Sequence, residues 1–368
     1  MKSRYGIEIL ILSLLLISSC KSEPETELGV AENHVTQYQI TLADSFGTGI
    51  GDSIHMIGSI DDFCYSPDGS VLILDCAAQV VRDFSSDNGS VTHCNTGEGP
   101  GELLYPLSLC ALENGHFLVA DEMKQEIMEY SAEGDYLGSF YYSGGYVPYS
   151  MYPVDSEYIQ ADLITFDIDC EVPQFVYSIC GIHSGDTEIS QEYFSLSWDW
   201  TSADFYRDIE LLEFAGSSSG NLFLVPDVTE YKVKVFSMDG EIISEIEGSM
   251  ERIRKSEEQI QTEIEEFEEW AQQDQAYMGG YRPSEYEVII SVIGVDANGY
   301  LWMQRHDSAD AYNFDVWDYS GELISQAQLP KNPDMPELEF HMDDYGLLGA
   351  NVDSDEYPRV YCFEVGVE

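Results

Sequence analysis

Short apolar runs recur along the chain, divided by clusters of Gly, Asp, Asn and Ser. The clearest case is Ile290 to Gln304, which reads I-S-V-I-G-V-D-A-N-G-Y-L-W-M-Q. Val, Ile, Tyr and Trp fit pleated, half-buried positions, so the segment predicts two strands. Asp296-Ala297-Asn298-Gly299 predicts the turn between them, with Asn-Gly supplying the positive φ of a two-residue hairpin loop.

Weaker copies of this unit follow one another. Ser66-Pro67-Asp68-Gly69 precedes Val71 to Leu74, and Glu113-Asn114-Gly115 precedes Phe117 to Val119. Asp155-Ser156-Glu157 precedes Tyr158-Ile159 without a glycine. Ser218-Ser219-Gly220-Asn221 precedes Leu222 to Val225, and Asp343-Asp344-Tyr345-Gly346 precedes Leu347-Leu348, which makes six copies with the Asp296 unit. Most are followed by a second turn: Asp87-Asn88-Gly89, Glu133-Gly134-Asp135, Ser184-Gly185-Asp186, Asp239-Gly240 and Ser320-Gly321. The gap is 20 residues for Gly69 to Gly89, 19 for Gly115 to Gly134, 20 for Gly220 to Gly240 and 22 for Gly299 to Gly321. That regularity predicts four-stranded antiparallel meanders repeating every 42 to 47 residues, a spacing that suits propeller blades.

The expected fold is all-β: a six-bladed β-propeller over residues 35–368. The sixth unit lacks its second turn, and Val35 to Leu42 is a spare strand that completes it and removes the exposed edges. Between the fourth and fifth blades, Ile253, Ile260, Ile264, Phe267 and Ala271 recur at helical spacing. A helical insert is expected over residues 250–278, either as a passive cover or as a partner-binding or gating helix.

The N-terminus reads as a targeting segment. Lys2 and Arg4 precede an apolar run from Ile7 to Ile17, and Ile17-Ser18-Ser19-Cys20 follows. A basic start, an apolar centre and small residues before a cleavage point make a secretory signal over residues 1–19. Small residues followed by Cys resemble a bacterial lipobox, which implies cleavage before Cys20 and a diacylglycerol on its thiol. Residues 20–34, polar and acidic with Pro24, read as a flexible tether. The expected location is the cell envelope, anchored by lipid to the outer membrane. Seven cysteines remain after Cys20; Cys64 with Cys76 and Cys170 with Cys180 are candidate bridges, and buried small apolar side chains are the simpler reading. No Cys/His spacing matches a zinc site.

Charge narrows the partners. The chain carries 15 Lys+Arg against 69 Asp+Glu, a formal net charge of -54. Such a surface repels nucleic acid and anionic lipid headgroups. The acids are spread along the chain, which favours a global surface property over one local site.

Thr96-Gly97-Glu98-Gly99-Pro100-Gly101-Glu102-Leu103 after the first blade, and Arg282-Pro283-Ser284 leading into Val295-Asp296-Ala297-Asn298-Gly299-Tyr300-Leu301-Trp302, carry a family resemblance. Over Val35 to Glu368 the chain resembles the six-bladed β-propeller lipoproteins of Bacteroidetes-type bacteria, which are similar to NHL-repeat propellers. The third blade departs from that pattern. The resemblance implies no general enzymatic activity.

In a four-stranded meander the second turn and the link to the next blade share one face. On that face are expected Asp75, Asp121 and Asp227, Arg305-His306-Asp307, and Glu98 and Glu102 of the glycine loop. The aromatic links add Tyr146, Trp198 and Trp200. Aromatic rings beside acids suit a neutral glycan or a cationic peptide. The glycine loop is no phosphate cradle, since no Lys-Ser/Thr follows and Glu98 and Glu102 repel phosphate. No motif demands a cofactor, and Ca²⁺ is the one cation the clustered acids suggest. Three classes follow: a monomeric protein that binds a glycan, peptide or protein; a metal-dependent hydrolase or lactonase using channel carboxylates; and a structural envelope component. No G-x-S-x-G or H-E-x-x-H motif occurs.

Overall fold

Most strands lie where turn glycines and alternating apolar runs put them. The computed structural model describes residues 36–47, 56–85, 89–140, 146–168, 170–185, 188–274, 280–332, 337–352 and 357–367. The expected signal, Cys20 and the tether lie outside the described residues, as do Asp87, Asn88, Asp186, Tyr141 to Gly145 and residues 275–278.

Strand β1 (Thr36–Phe46) comes first. The first sheet holds β2 (Asp62–Tyr65), β3 (Val71–Asp75), β4 (Val80–Ser85) and β5 (Gly89–His93). Two short strands, β6 (Asn95–Thr96) and β7 (Glu102–Leu103), then pair in parallel. The second sheet holds β8 (Pro106–Ala111), β9 (Phe117–Asp121), β10 (Glu126–Tyr130) and β11 (Tyr136–Phe140). The third holds β12 (Met151–Pro153), β13 (Tyr158–Asp167), β14 (Gln174–His183) and β15 (Gln191–Asp199). Helix α1 (Phe205–Glu210) leads to the fourth, β16 (Glu213–Gly216), β17 (Leu222–Val225), β18 (Lys232–Phe236) and β19 (Ile242–Glu247). Helix α2 (Glu257–Asp274) follows, then β20 (Ile290–Val295), β21 (Leu301–Arg305), β22 (Ala311–Trp317), β23 (Leu323–Pro330), β24 (Glu339–Asp343), β25 (Gly346–Ala350) and β26 (Val360–Val367).

The protein is thus all-β and propeller-like: four four-stranded antiparallel sheets, then eight strands in one closed order. Within the eight, β20 to β23 form one antiparallel meander, and β24, β25, β26 and β1 form another. Two parallel contacts fuse them: Thr36 to Gln39 of β1 against Ser325 to Gln328 of β23, and Gly294 against Met342. This differs from six separate sheets. Its cause is local, because β1 reaches past β26 to the outer edge of β23.

The Asp296 turn also differs from expectation. The Gly299 amide donates to the Asp296 carbonyl at 2.8 Å and the Asp296 amide donates to the Tyr300 carbonyl at 3.0 Å. The loop therefore has three residues and ends in a bulge glycine at φ +76, because a tight turn followed by one left-handed residue preserves the strand twist. The same two bonds recur at Ser66/Gly69/Ser70, Leu112/Gly115/His116 and Ser217/Gly220/Asn221. In the third sheet Asp155 replaces the glycine device, its carboxylate accepting the amides of Glu157 (2.7 Å) and Tyr158 (2.9 Å).

Strands β3, β9 and β17 are buried at every position, as strands with both faces covered must be. Apolar clusters sit between successive sheets: Leu74 with Val119, Ala120 with Ile159, Ile179 with Leu224, Phe223 with Ile290, and Trp302 with Leu347. A further cluster joins Ile73 of β3 to Leu348 of β25, linking the last strands to the first sheet. Accordingly β2, β8, β12, β16, β20 and β24 neighbour one another in that order, and β24 neighbours β2.

Three further expectations change. The insert helix begins at Glu257, not at residue 250; Met250 packs into the core and Ile253 is exposed. Helix α1 was not anticipated; it is only 6 residues long and is seated by Phe205 against Trp198 and Phe175. No disulfide forms among the described residues: Cys64 and Cys180 are buried on strands as small apolar side chains, Cys76 packs partly buried against the core, and Cys170 is exposed.

Candidate functional site

The inner strands enclose an axial cavity of about 300 Å³. It takes one residue from the end of each inner strand or the turn after it: Tyr65, Glu113, Asp155, Ser218, Val295 and Tyr345. These are the first turns of the repeat, so the cavity lies at the end opposite the blade links. The sequence places the expected binding face at the other end, with the blade links, so the cavity lies opposite to that expectation.

Strand β24 brings two titratable side chains to the cavity. Alternation places His341 and Asp343 on one side of it, both lining the cavity, with His341 Nε2 3.8 Å from Asp343 Oδ2. Asp343 Oδ2 accepts the Tyr65 amide at 2.9 Å, and its Oδ1 accepts the amides of Tyr345 (2.9 Å) and Gly346 (3.2 Å). Burial still pushes the Asp343 carboxyl up to about 7, outweighing those donors. Burial pushes His341 down to about 4, so the imidazole is neutral at neutral pH.

Two more inner-strand acids repeat this contact between neighbours. Asp62 of β2 accepts the Leu109 amide of β8 at 2.7 Å, and Glu213 of β16 accepts the Val292 amide of β20. Burial raises both to about 7. Tyr152 of β12 also has its hydroxyl pKa raised, first by burial and then by the charges of Asp62 and Glu213. The cavity therefore offers mainly acceptors: Glu113, Asp155, Asp343 and Asp344 with the Ser217 and Ser218 hydroxyls. It suits a small ligand rich in hydrogen-bond donors. Among the described residues no three His, Cys, Asp or Glu side chains converge to hold a metal ion.

The acids expected at the blade links do other work. Asp75 is fully buried and accepts the amides of Gly58 (2.9 Å), Ser59 (3.2 Å) and Ala78 (3.0 Å), with Arg82 Nε at 2.7 Å. Asp121, equally buried, accepts the amides of Leu104 (2.7 Å), Tyr105 (3.1 Å) and Lys124 (3.1 Å). Each ties the end of a second strand to the segment entering its own sheet, and Asp162, in the middle of β13, holds the Ser150 amide at 2.7 Å in the same way. Asp227 instead holds its own turn through Thr229 and pairs with Arg252 at 3.2 Å.

Glu102 fills the glycine loop that precedes it. Its Oε2 accepts the Gly99 amide at 2.7 Å, and a Cβ on Gly97 would lie 2.1 Å from that oxygen. The glycines therefore make room for a carboxylate of the same loop, while Glu98 is exposed. Arg305 Nε lies 3.5 Å from Asp307 and 3.6 Å from Asp315. His306 Nε2 meets Ser291 Oγ at 2.9 Å, and Asp307 accepts from Asn313 at 2.6 Å. Burial, then the Lys331 charge, lowers the pKa of His306. Trp198 is buried at 9% exposure and its indole N–H donates to Asp208 at 2.8 Å, whereas Trp200 and Tyr146 are exposed. Of the expected set, only Arg305 and Asp307 meet as an ion pair. His341, Asp343, Asp62 and Glu213 were missed; Asp343 opens a recognised turn, and alternation along β24 is the signal that carries to His341.

No family model and no curated protein matches the chain. Solved structures do. A Bacteroides fragilis protein described as exported superposes with TM-score 0.50 at 11% identity, over 90% of this chain and 99% of its own. A DUF4221-family member from Bacteroides vulgatus gives 0.47 at 9% identity, over 91% and 100%. Regucalcin, a calcium-binding protein from Agrobacterium tumefaciens, gives 0.43 at 11% identity, over 89% and 95%. The first likeness shows a shared fold and nothing finer.

Proposed function

We propose that the chain is an exported, lipid-anchored six-bladed propeller that binds a small, donor-rich ligand, a saccharide or an amine, in its axial cavity. The cavity between the six first turns carries this reading. The blade count rests on the ring of inner strands and on the apolar clusters between successive sheets, with β20–β23 as the fifth blade and β24, β25, β26 and β1 as the sixth. The anchor rests on the Cys20 motif, and the location on the N-terminal signal. No described helix is long and apolar enough to cross a membrane.

The test is a thermal-shift screen of monosaccharides, amino sugars and primary amines on the full chain, repeated with Ser217→Ala and Asp344→Asn. A shift in the native chain that both variants lose supports the reading. No shift across the panel, or one that both variants keep, ends it. Melts with EDTA and with added Ca²⁺ run alongside in high sodium chloride at matched ionic strength, where surface charge is screened, and the binding reading expects neither to move the midpoint. Palmitate labelling, lost with Cys20→Ser, tests the anchor.

A hydrolase is the second reading, favoured by the neutral His341 beside Asp343 at 3.8 Å, an acid/base pair facing the cavity. Turnover of a lactone or aryl ester that vanishes in His341→Ala would replace the binding reading.

A further inference from the structure

A second pocket lies outside the axial cavity, where α1 meets α2. Tyr206 of α1, Phe267 and Trp270 of α2, and Tyr281 beyond it line a hollow of about 310 Å³. Ring centroids are 5.3 Å apart for Tyr206–Phe267, 5.5 Å for Tyr206–Trp270, 5.4 Å for Phe267–Trp270 and 4.5 Å for Phe267–Tyr281. Rings that only docked a helix would be buried. None of these four is, and Trp270 is 43% exposed.

Three carboxylates, Glu210, Glu263 and Glu266, rim the rings. Glu210 accepts the Tyr281 hydroxyl at 2.8 Å, and Glu263 pairs with Lys255 at 2.6 Å. The nearby Arg207 is held by Asp204 (2.8 Å) and Asp208 (2.6 Å). The pocket thus has a negative rim, aromatic walls and no spare cation among these groups.

We propose that this pocket binds a quaternary ammonium group. A cation is attracted to a ring face when it sits within about 6 Å of the centroid. Phe267 and Tyr281 stack on each other, so each offers only its outer face, and Tyr206 and Trp270 stand at an angle to Phe267 as further walls. A primary ammonium or a guanidinium gives up strong hydrogen bonds to water and needs several well-placed acceptors in return, whereas aromatic walls supply none and two of the three carboxylates already hold a donor. A quaternary ammonium has no donors and sheds water readily, so rings and a diffuse negative field satisfy it. The group is carried by free choline-type solutes and by phosphatidylcholine headgroups.

The test is calorimetric titration of the full chain carrying Cys20→Ser, at fixed ionic strength. Choline is compared with its neutral isostere 3,3-dimethylbutan-1-ol. Choline is expected to bind roughly tenfold more tightly, the preference a cation–π site supplies. Trp270→Ala should abolish the difference and Trp270→Phe should keep part of it, with melting curves confirming that each variant folds. Equal binding of the isostere overturns the proposal, as does no saturable choline binding, or tighter binding of lysine amide. Co-sedimentation with phosphatidylcholine vesicles, competed by choline, assigns the lipid source; choline binding without co-sedimentation assigns the free solute. Either result supports the site.

Discussion

The carboxylate of Asp343 accepts the backbone amide of Tyr65 at 2.9 Å, across 278 residues of chain. One belongs to the last inner strand and the other to the first. Asp62 with Leu109, and Glu213 with Val292, repeat the contact between other neighbours. Apart from the single Gly294–Met342 bridge, the second edge of an inner strand has no strand partner, and its amides still need acceptors. A carboxylate from the adjacent strand supplies one. Asp343→Ala leaves the amides of Tyr65, Tyr345 and Gly346 without it and should cost roughly 1–3 kcal/mol. Asp343→Asn keeps an acceptor oxygen and should lose less. Urea unfolding of the two variants checks the order; equal losses would show that the contact is incidental.

These acids also predict how stability follows pH. Burial raises Asp62, Glu213 and Asp343 to about 7 in the folded protein, against about 4 in an unfolded chain. The folded state then holds those protons more tightly. Their contribution is fully present below the unfolded values and is lost as pH rises through about 7. His341, lowered to about 4, works in the opposite direction, but chiefly below its unfolded value. Moving from pH 8 to pH 6.5 should therefore stabilise the protein by on the order of 1–2 kcal/mol. Denaturant midpoints at the two pH values measure it, and Asp62→Asn, Glu213→Gln and Asp343→Asn combined should flatten the slope.

Gly294 is where the fifth and sixth meanders touch. Its φ is +130, and a Cβ there would stand 1.9 Å from the Met342 carbonyl oxygen. Backbone cannot move aside as a side chain can. Gly294→Ala should cost roughly 3 kcal/mol or more through strain and displacement of β24. Gly299→Ala meets open space and pays only for its left-handed backbone, roughly 1 kcal/mol. Melting the two variants side by side separates the effects, and similar losses would remove Met342 from the explanation.

The meanders were legible because their turns carry chemistry at fixed offsets. Asp296 and Gly299, or Ser218 and Gly220, mark a hairpin whatever surrounds it. The fusion of the last eight strands was not, since it depends on where β1 meets β23 and on one close approach at Gly294. The site was harder still. Asp75 and Asp121 read in sequence either as ligands or as caps of strand ends, and in the fold both are buried and hold the blade entries. Asp343 looks like a turn residue and also faces the cavity. The helix-spaced apolar residues pointed to α2 but not to the pocket it shares with Tyr206, a residue 61 positions before Phe267. Side-chain roles of this kind follow from which strands meet, and local periodicity does not carry that.

The net charge of -54 makes a separate prediction. Acids spread over the surface repel one another in the compact state more than in an expanded chain. Salt screens exposed charges over about 10 Å at 0.1 M. At pH 8 the melting temperature should therefore rise steadily from low to high sodium chloride. The inner acids respond differently, because the shifts of Asp62, Glu213 and Asp343 come first from desolvation, which salt does not screen. The gain between pH 8 and pH 6.5 should persist at high salt and shrink only in the triple variant. A gain that disappears with salt in the native chain would assign the pH response to the surface and remove the inner carboxylates from it.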